Sequence, residues 1–413
     1  MKMMNKKKRI AIVGTAGVPA RYGGFETLAH NLVKNLSDNY DIHVYASTKM
    51  YKKEERIKTW NNAKIHYIPL GANGASSIPY DTFSMMHALS YADYIIVLGV
   101  SAGIVIPFIK LFTKAKIIVN IDGLEWRRNK WGKWTQRFLK YSEKVAVKYS
   151  DADITDNEAI KRYTAIHYKT ASYLIAYGAD HVSHQKLNKS DYKKYPFLSR
   201  PYAFKVARIE PENNIELILE AFAQLPAKNL VVVGNWENST YGIHLKKLYS
   251  AFKNLHLLDP VYDQFELDKL RSNCLVYVHG HSAGGTNPSL VEAMHLNLPV
   301  MAFDVSYNRA TTSNEALFFS DAKSLINLLE IADFDQLKAV GNALYKVAKY
   351  QYTWKRISNR YSAIIEAFDY AYKKPTLQRK NTRMSYPKLL KTGYAHLENT
   401  KFFYESNTVE HGK

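Results

Sequence analysis

Two glycine-rich turns in this chain stand between an apolar run and a helical pattern, and glycine at a helix start is suited to binding anions. The first is GTAGVPARYGGFE, residues 14–26, placed after RIAIV and before TLAHNLVKNL. A tight turn accounts for Gly14 and Gly17. The pair Gly23–Gly24, at the helix start itself, calls for a phosphate or sugar close to the backbone. Glycine lets amides approach a ligand, and a helix N-terminus favours negative charge. The second turn, Gly284-Gly285-Thr286-Asn287, lies in VHGHSAGGTNPSLVEAM, after a strand ending at His279. The same reasoning assigns it an anion.

Three charged side chains accompany the turns. Glu292, one to two turns into the second helix, suits a vicinal diol, since a carboxylate accepts two hydrogen bonds. Arg208, in VARIEPENN, directly follows a strand and supplies a permanent cation at the edge where open α/β sheets bind ligands. Asp122, closing KIIVNID, either orients an acceptor, assists proton removal, or is a turn aspartate before Gly123. Together they describe a site for a nucleoside diphosphate attached to something else. Rival sites fit less well. The spacing G-x-G-x-x-G is missing and the second strand ends at Ser47, not at an acid, which argues against NAD. No phosphate-binding G-x-x-x-x-G-K-[ST] motif occurs in the sequence. The pair Asp151-x-Asp153 could hold Mg²⁺ but reads as turn chemistry, and His279-x-His281 lacks a third ligand nearby. No metal and no cofactor are expected.

The elements that must position these residues alternate. RIAIVG, IHVYA, KIHYIP, YIIVLGV, KIIVNID and ADIT read as strands separated by helices, the first helix spanning Phe25 to Leu36 with Leu28, Leu32 and Leu36 on one stripe. After YLIAYGAD a polar stretch, HVSHQKLNKSDYKKYP, reads as a linker. A second series follows: YAFKVA, NLVVVG, LHLLD, CLVYVHG, PVMAFD and ALFFS. A helix from Asn214 carries Ile215, Ile218, Leu219, Phe222 and Leu225 at helical spacing. The fold class is therefore α/β, two Rossmann-like parallel-sheet domains facing across a cleft. Expected boundaries are 1–180, 181–351, a long amphipathic helix over 352–372 within a segment 352–374 that packs back on the first domain, and a basic, flexible tail at 375–413. The apolar run YIIVLGVSAGIVIPFIKLF (94–112) is interrupted by Ser101, Gly103 and Pro107, so it reads as strand, turn and helix rather than as a membrane span.

Composition narrows the partners. At 413 residues the chain suits two domains, and its single cysteine, Cys274, leaves no internal disulfide and fits a reducing compartment. The N-terminus does not read as a signal peptide. A net charge of +20 asks for an anionic partner. The charge clusters: from Trp126 to Lys148 there are eight basic residues and one acid, interleaved with Trp126, Trp131 and Trp134. Arg127, Arg128, Lys130 and Lys133 lie among them. Tryptophan with lysine and arginine suits an anionic lipid surface, each charge adding about 1 kcal/mol. The bland alternative is a solvated helix face. No nucleic-acid motif accompanies the patch, so nucleic acid is not expected as a partner.

The motifs GVPARYGGFET, NIDGLEWRRNKW, SDADITDNEAI, ARIEPENNIELILEAF and GGTNPSLVEAM together resemble the retaining nucleotide-sugar glycosyltransferases of the GT-B fold, family 4. Within them the chain is most similar to the bacterial rhamnosyltransferase group of capsule and cell-wall polysaccharide synthesis. The resemblance runs from about residue 9 to 372. It departs from the broader family at Gly284, where the first of two glutamates stands, and at Asn213, where a lysine stands. It implies transfer of a sugar, L-rhamnose from dTDP-rhamnose, with retention by front-side attack, to a lipid-diphosphate-linked saccharide at the inner face of the cell membrane. Without a metal, Arg208 and the amides of both turns stabilise the departing diphosphate, Glu292 holds the nucleotide ribose, and Asp122 lies near the reacting sugar. Two other classes stay open. A GT-B epimerase would share the glycine turns but need no lipid patch, and a non-catalytic binder would need only the charge. Donors other than dTDP-rhamnose, UDP- or GDP-hexoses, also stay open.

Overall fold

A computed structural model describes residues 7–21, 23–121, 123–128, 131–379 and 402–405. The chain divides into two compact units. One comprises residues up to Ala176 together with those from Trp354 onward; the other runs from Tyr177 to Thr353.

The first unit is built on an eight-stranded sheet. Its strands are β1 (Arg9–Val13), β2 (Asp41–Ser47), β3 (Thr59–Trp60), β4 (Ala63–Ile68), β5 (Tyr94–Leu98), β6 (Lys116–Asn120), β7 (Ala152–Thr155) and β8 (Tyr173–Leu174), in the order β3-β4-β2-β1-β5-β6-β7-β8. All neighbours are parallel except the short β3–β4 pair. Helices on both faces explain why the central strands are continuous apolar runs, with Ile10, Ile12, Ile95 and Ile118 at most 1% exposed. The helix Gly24–Leu36 buries Leu28, Leu32 and Leu36 along its predicted stripe. The apolar run at 94–112 is β5, a turn and the helix Ile106–Leu111, and no helix among the described residues is long and apolar enough to cross a membrane.

The second unit carries β9 (Tyr202–Val206), β10 (Asn229–Val233), β11 (Leu255–Leu258), β12 (Val276–His279), β13 (Val300–Phe303) and β14 (Leu317–Phe319), all parallel, in the order β11-β10-β9-β12-β13-β14. Asn214 takes the left-handed conformation, so the helix begins at Ile215 and ends at Ala223; Ile215, Ile218, Leu219 and Phe222 are buried and Leu225 lies beyond its end. Cys274 is a buried core residue.

The helix expected over 352–372 is shorter, Trp354–Ala367. Tyr352 belongs to the second unit, where its buried hydroxyl donates to Thr311 O at 2.8 Å. Beyond Ala367 the chain tightens into a 3₁₀ turn, Phe368–Tyr370, closed by left-handed Ala371. The beginning of the tail is not free. Lys374 pairs with buried Asp153, the Leu377 amide donates to Lys169 O, and β15 (Thr376–Arg379) pairs antiparallel with β16 (Phe402–Glu405). The rest of the segment expected to be flexible lies outside the described residues.

Candidate functional site

In an open parallel sheet ligands gather at the carboxyl ends of the two strands where the strand order reverses, because the loops there diverge. In the first unit that point lies between β1 and β5, where the first glycine turn leaves β1. In the second it lies between β9 and β12, where Arg208 and the Gly284 turn leave adjacent strands.

The beginning of the first turn is tightly packed. A Cβ on Gly14 would overlap Leu98 O, and one on Gly17 would come within 2.6 Å of Ala46 Cβ. Both glycines also have positive φ. Gly23 precedes the helix that starts at Gly24, and the positive end of that helix is met by the chain's own Glu26. Its carboxylate accepts from Ala16 N at 2.8 Å and from its own amide, and a Cβ on Gly23 would strike it. Burial pushes this carboxyl up, opposed by the Ala16, Glu26 and Thr15 hydrogen bonds. Asp81, in the helix Ser77–Ala88 of the same unit, is also buried. Desolvation pushes it up to about 7, although the Ser101 hydroxyl donates to it at 2.6 Å.

The second turn is open. Gly284 has φ 122°, and the space a Cβ would occupy holds no atom within 4 Å. The helix Pro288–His295 follows, its N-cap Asn287 making no side-chain cap hydrogen bond, with Thr286 buried and Gly285 half-buried beside it. The loops after β9 and β12 are joined. Ser282 donates to Glu212 O through its amide at 2.8 Å and its hydroxyl at 2.9 Å, and Asn214 Nδ2 donates to Gly280 O at 2.8 Å. Asn213, which stands where the resemblance has a lysine, donates to Arg208 O at 2.7 Å and so shapes the arginine's own loop. The Arg208 side chain is 46% exposed, with Nε 3.8 Å from Glu210 Oε2.

Glu292 is held in place by partners that its sequence context does not announce. One oxygen pairs with Arg271, which is fully buried and also bonds Asp268 at 2.8 Å; the other lies 3.3 Å from His181 Nε2. Burial would raise this carboxyl, but Arg271 and His181 bring it down to about 2. It is an ionised carboxylate in a fixed orientation, able to accept hydrogen bonds. Asp122 lies outside the described residues. Asp151 and Asp153 are structural: Asp151 takes the Ile117 amide and Lys110, while Asp153 takes Thr170, Ser172 and Lys374. Among the described residues no cluster of three metal-binding side chains occurs.

The tryptophan-rich segment sorts into bound and exposed members. Arg128 pairs with Glu125 at 2.7 Å, and Trp131 Nε1 donates to Glu125 at 3.1 Å. Trp126 is half-buried, with Lys140 4.5 Å and Arg127 5.2 Å from its ring centre. Lys130 lies outside the described residues. The helix Lys133–Tyr149 begins at exposed Lys133 and carries Trp134, 82% exposed, with Arg137, Tyr141, Lys144 and Lys148 exposed along it. Packed beside it, the helix Ile106–Leu111 and its C-cap leave Phe108, Leu111 and Phe112 exposed by 64%, 77% and 76%. Sequence reasoning missed these three, since each is an ordinary member of an apolar run.

Residues 7–180 match the family described as Domain of unknown function (DUF1972), and residues 189–330 match Glycosyl transferases group 1. No curated protein matches the chain at a significant level. Among solved structures the chain is similar to sucrose-phosphate synthase from Thermosynechococcus elongatus (TM-score 0.72, 16% identity, covering 89% of this chain and 100% of that one). It is similar to Anabaena HepE in complex with UDP-glucose (0.66, 14%, 87% and 100%). A putative UDP-N-acetylglucosamine 2-epimerase from Listeria monocytogenes also shares the architecture (0.59, 13%, 90% and 99%). At these identities the likeness speaks for the fold, and the family match speaks for the domain. The two together support a glycosyltransferase of the GT-B fold, whose residues 189–330 form a group 1 glycosyltransferase domain.

Proposed function

We propose that the protein transfers L-rhamnose from dTDP-rhamnose, with retention, onto a lipid-diphosphate-linked saccharide in polysaccharide synthesis. The observation that carries the donor half is the open Gly284 turn, at the start of a helix without a side-chain cap, on the strand adjacent to the one that leads to Arg208. Cleavage of the anomeric carbon–oxygen bond builds negative charge on the departing diphosphate. Amides of residues 284–286 and the half-exposed Arg208 are donors fixed in advance for that charge. Glu292, kept ionised by Arg271 and His181, accepts from the ribose diol of the nucleotide. The first unit takes the acceptor, and Asp122, the residue that the resemblance associates with the reacting sugar, orients the acceptor or assists removal of its proton. No metal is needed in this scheme.

A UDP-hexose donor is the second reading, because the related Anabaena structure holds UDP-glucose. The acceptor's lipid would sit at an anionic membrane face, in keeping with the exposed Trp134, Phe108, Leu111 and Phe112 flanked by Arg137, Lys144 and Lys148. In this scheme the protein works in the cytoplasm, peripheral to the membrane. A donor screen with dTDP-rhamnose, UDP-hexoses and GDP-hexoses, with and without a lipid-diphosphate saccharide, tests the whole scheme. Acceptor-dependent dTDP release, with a product that keeps the anomeric configuration of the donor, supports it. Conversion of the donor sugar without nucleotide release would instead make the protein an epimerase.

A further inference from the structure

Behind the second turn lies a pair of basic side chains that the scheme above does not use. Lys205, the fourth residue of β9, is 0% exposed, and its Nζ has no hydrogen-bond partner. His279, the last residue of the adjacent β12, is also 0% exposed, and neither ring nitrogen has one. The residue after it, Gly280, sits so close to the lysine that a Cβ there would be 3.1 Å from Nζ and would overlap Asn213 O. Most buried polar groups in folded proteins are hydrogen-bonded, and a buried amine without a counter-ion is costly unless it gives up its proton.

Among the described residues Lys205 has no counter-ion. Ile218 of the helix Ile215–Ala223 packs at the Gly280 position, and His279 is the titratable neighbour whose charge the lysine opposes. Glu212 of the adjoining 3₁₀ turn also has two buried oxygens without partners, so it is not bonded to Lys205. His279 is stacked on His281 at 4.4 Å, which leads into the Gly284 turn. The pair therefore lies under the strand ends from which Arg208 and the glycine turn emerge.

We propose that Lys205 and His279 form a proton-accepting site beneath the donor diphosphate, and that nucleotide binding charges it. Lys205 is a positioning residue here, acting through the field it places under the turn. In the free protein desolvation brings the ammonium group down to about 7, so at pH 8 it is mostly the neutral amine. A diphosphate at the turn brings negative charge to a low-dielectric region, where attraction between opposite charges is strong. The amine then takes a proton from solvent and stays charged while the nucleotide is bound. His279 is held neutral by burial in the free protein, and further by the lysine once that is charged, so the lysine is the group that titrates.

This inference rests on the donor site proposed above, and one experiment separates the two. Titrate dTDP and UDP into the full chain by calorimetry at pH 8, in two buffers of different ionisation enthalpy. Repeat with Lys205→Met, which keeps the volume and removes the amine. The wild type should take up close to one proton per bound nucleotide. Lys205→Met should bind about tenfold more weakly with no uptake, while melting at the same temperature as the wild type or higher. Binding by the wild type without proton uptake, or equal uptake by Lys205→Met, would overturn the role of Lys205 and leave the donor site standing. If neither nucleotide binds the wild type, the donor site falls and this role falls with it.

Discussion

The two glycine turns look alike in sequence and differ in the folded chain. At the first, Gly14 and Gly17 are wedged against neighbouring strands, and a glutamate of the same helix covers the helix start. At the second, Gly284 faces open space at a helix start without a side-chain cap, on the strand next to that of a half-exposed arginine. A helix N-terminus attracts an anion, but the anion can come from the chain itself. Where it does, the site is already filled. In the first turn Gly14 and Gly17 are then packing residues, whereas Gly284 of the second stands at an open helix start.

Four measurements test this contrast. The largest effect should come from placing the same alanine in both turns. Gly14→Ala meets Leu98 O at a positive φ and should destabilise the first unit by more than about 4 kcal/mol, read as insoluble or unfolded protein. Gly284→Ala meets only backbone strain, on the order of 1–2 kcal/mol, so it should fold and yet lose nucleotide affinity. If both variants fold and bind equally well, the contrast is wrong.

Arg271→Ala comes next. It leaves Glu292 and Asp268 as buried carboxylates without their cation, a change that typically costs about 3–5 kcal/mol, visible as a fall in melting temperature. Its effect on pH dependence has a definite sign. Glu292 is held at about 2 in the fold, so its contribution is present above the ordinary carboxylate range and is lost as pH falls toward 2. The wild type should therefore lose stability on acidification more steeply than Arg271→Ala; parallel curves would show that the pair contributes little.

Arg208→Ala should fold normally, since the side chain is nearly half exposed, and should lower turnover roughly a hundredfold. Wild-type turnover in that variant would remove Arg208 from the site. The smallest effect belongs to Glu26→Gln, which keeps an acceptor for the Ala16 amide. Burial raises this carboxyl, so its ionised form costs stability above the ordinary carboxylate range. The substitution should change stability at pH 7 by less than about 1 kcal/mol, in the stabilising direction. A loss of several kcal/mol would mean that the helix start depends on a full negative charge.

Much of the fold was legible because strand and helix periods are local properties. Runs such as RIAIV and NLVVV need only their own residues to declare buried parallel strands, and β1 and β10 lie where those runs do. The short final helix was misjudged because Tyr352 is claimed by Thr311, a partner 41 residues away. The site residues were legible as types. Glycine before a helix and arginine after a strand are local signals. Their partners were not, since nothing near Glu292 in sequence announces Arg271 or His181, and Glu125 takes up Arg128 and Trp131 through side-chain geometry that composition does not reveal.

Sequence alone thus determined the elements, the two-sheet plan and the places where an anion could bind, because backbone propensity and hydrophobic period act over a few residues. Tertiary structure alone decided which turn stays open, which tryptophan faces solvent, and that Lys205 is buried without a partner. Those outcomes depend on which distant groups arrive at the same point, and on whether a charge met there is answered by another part of the chain.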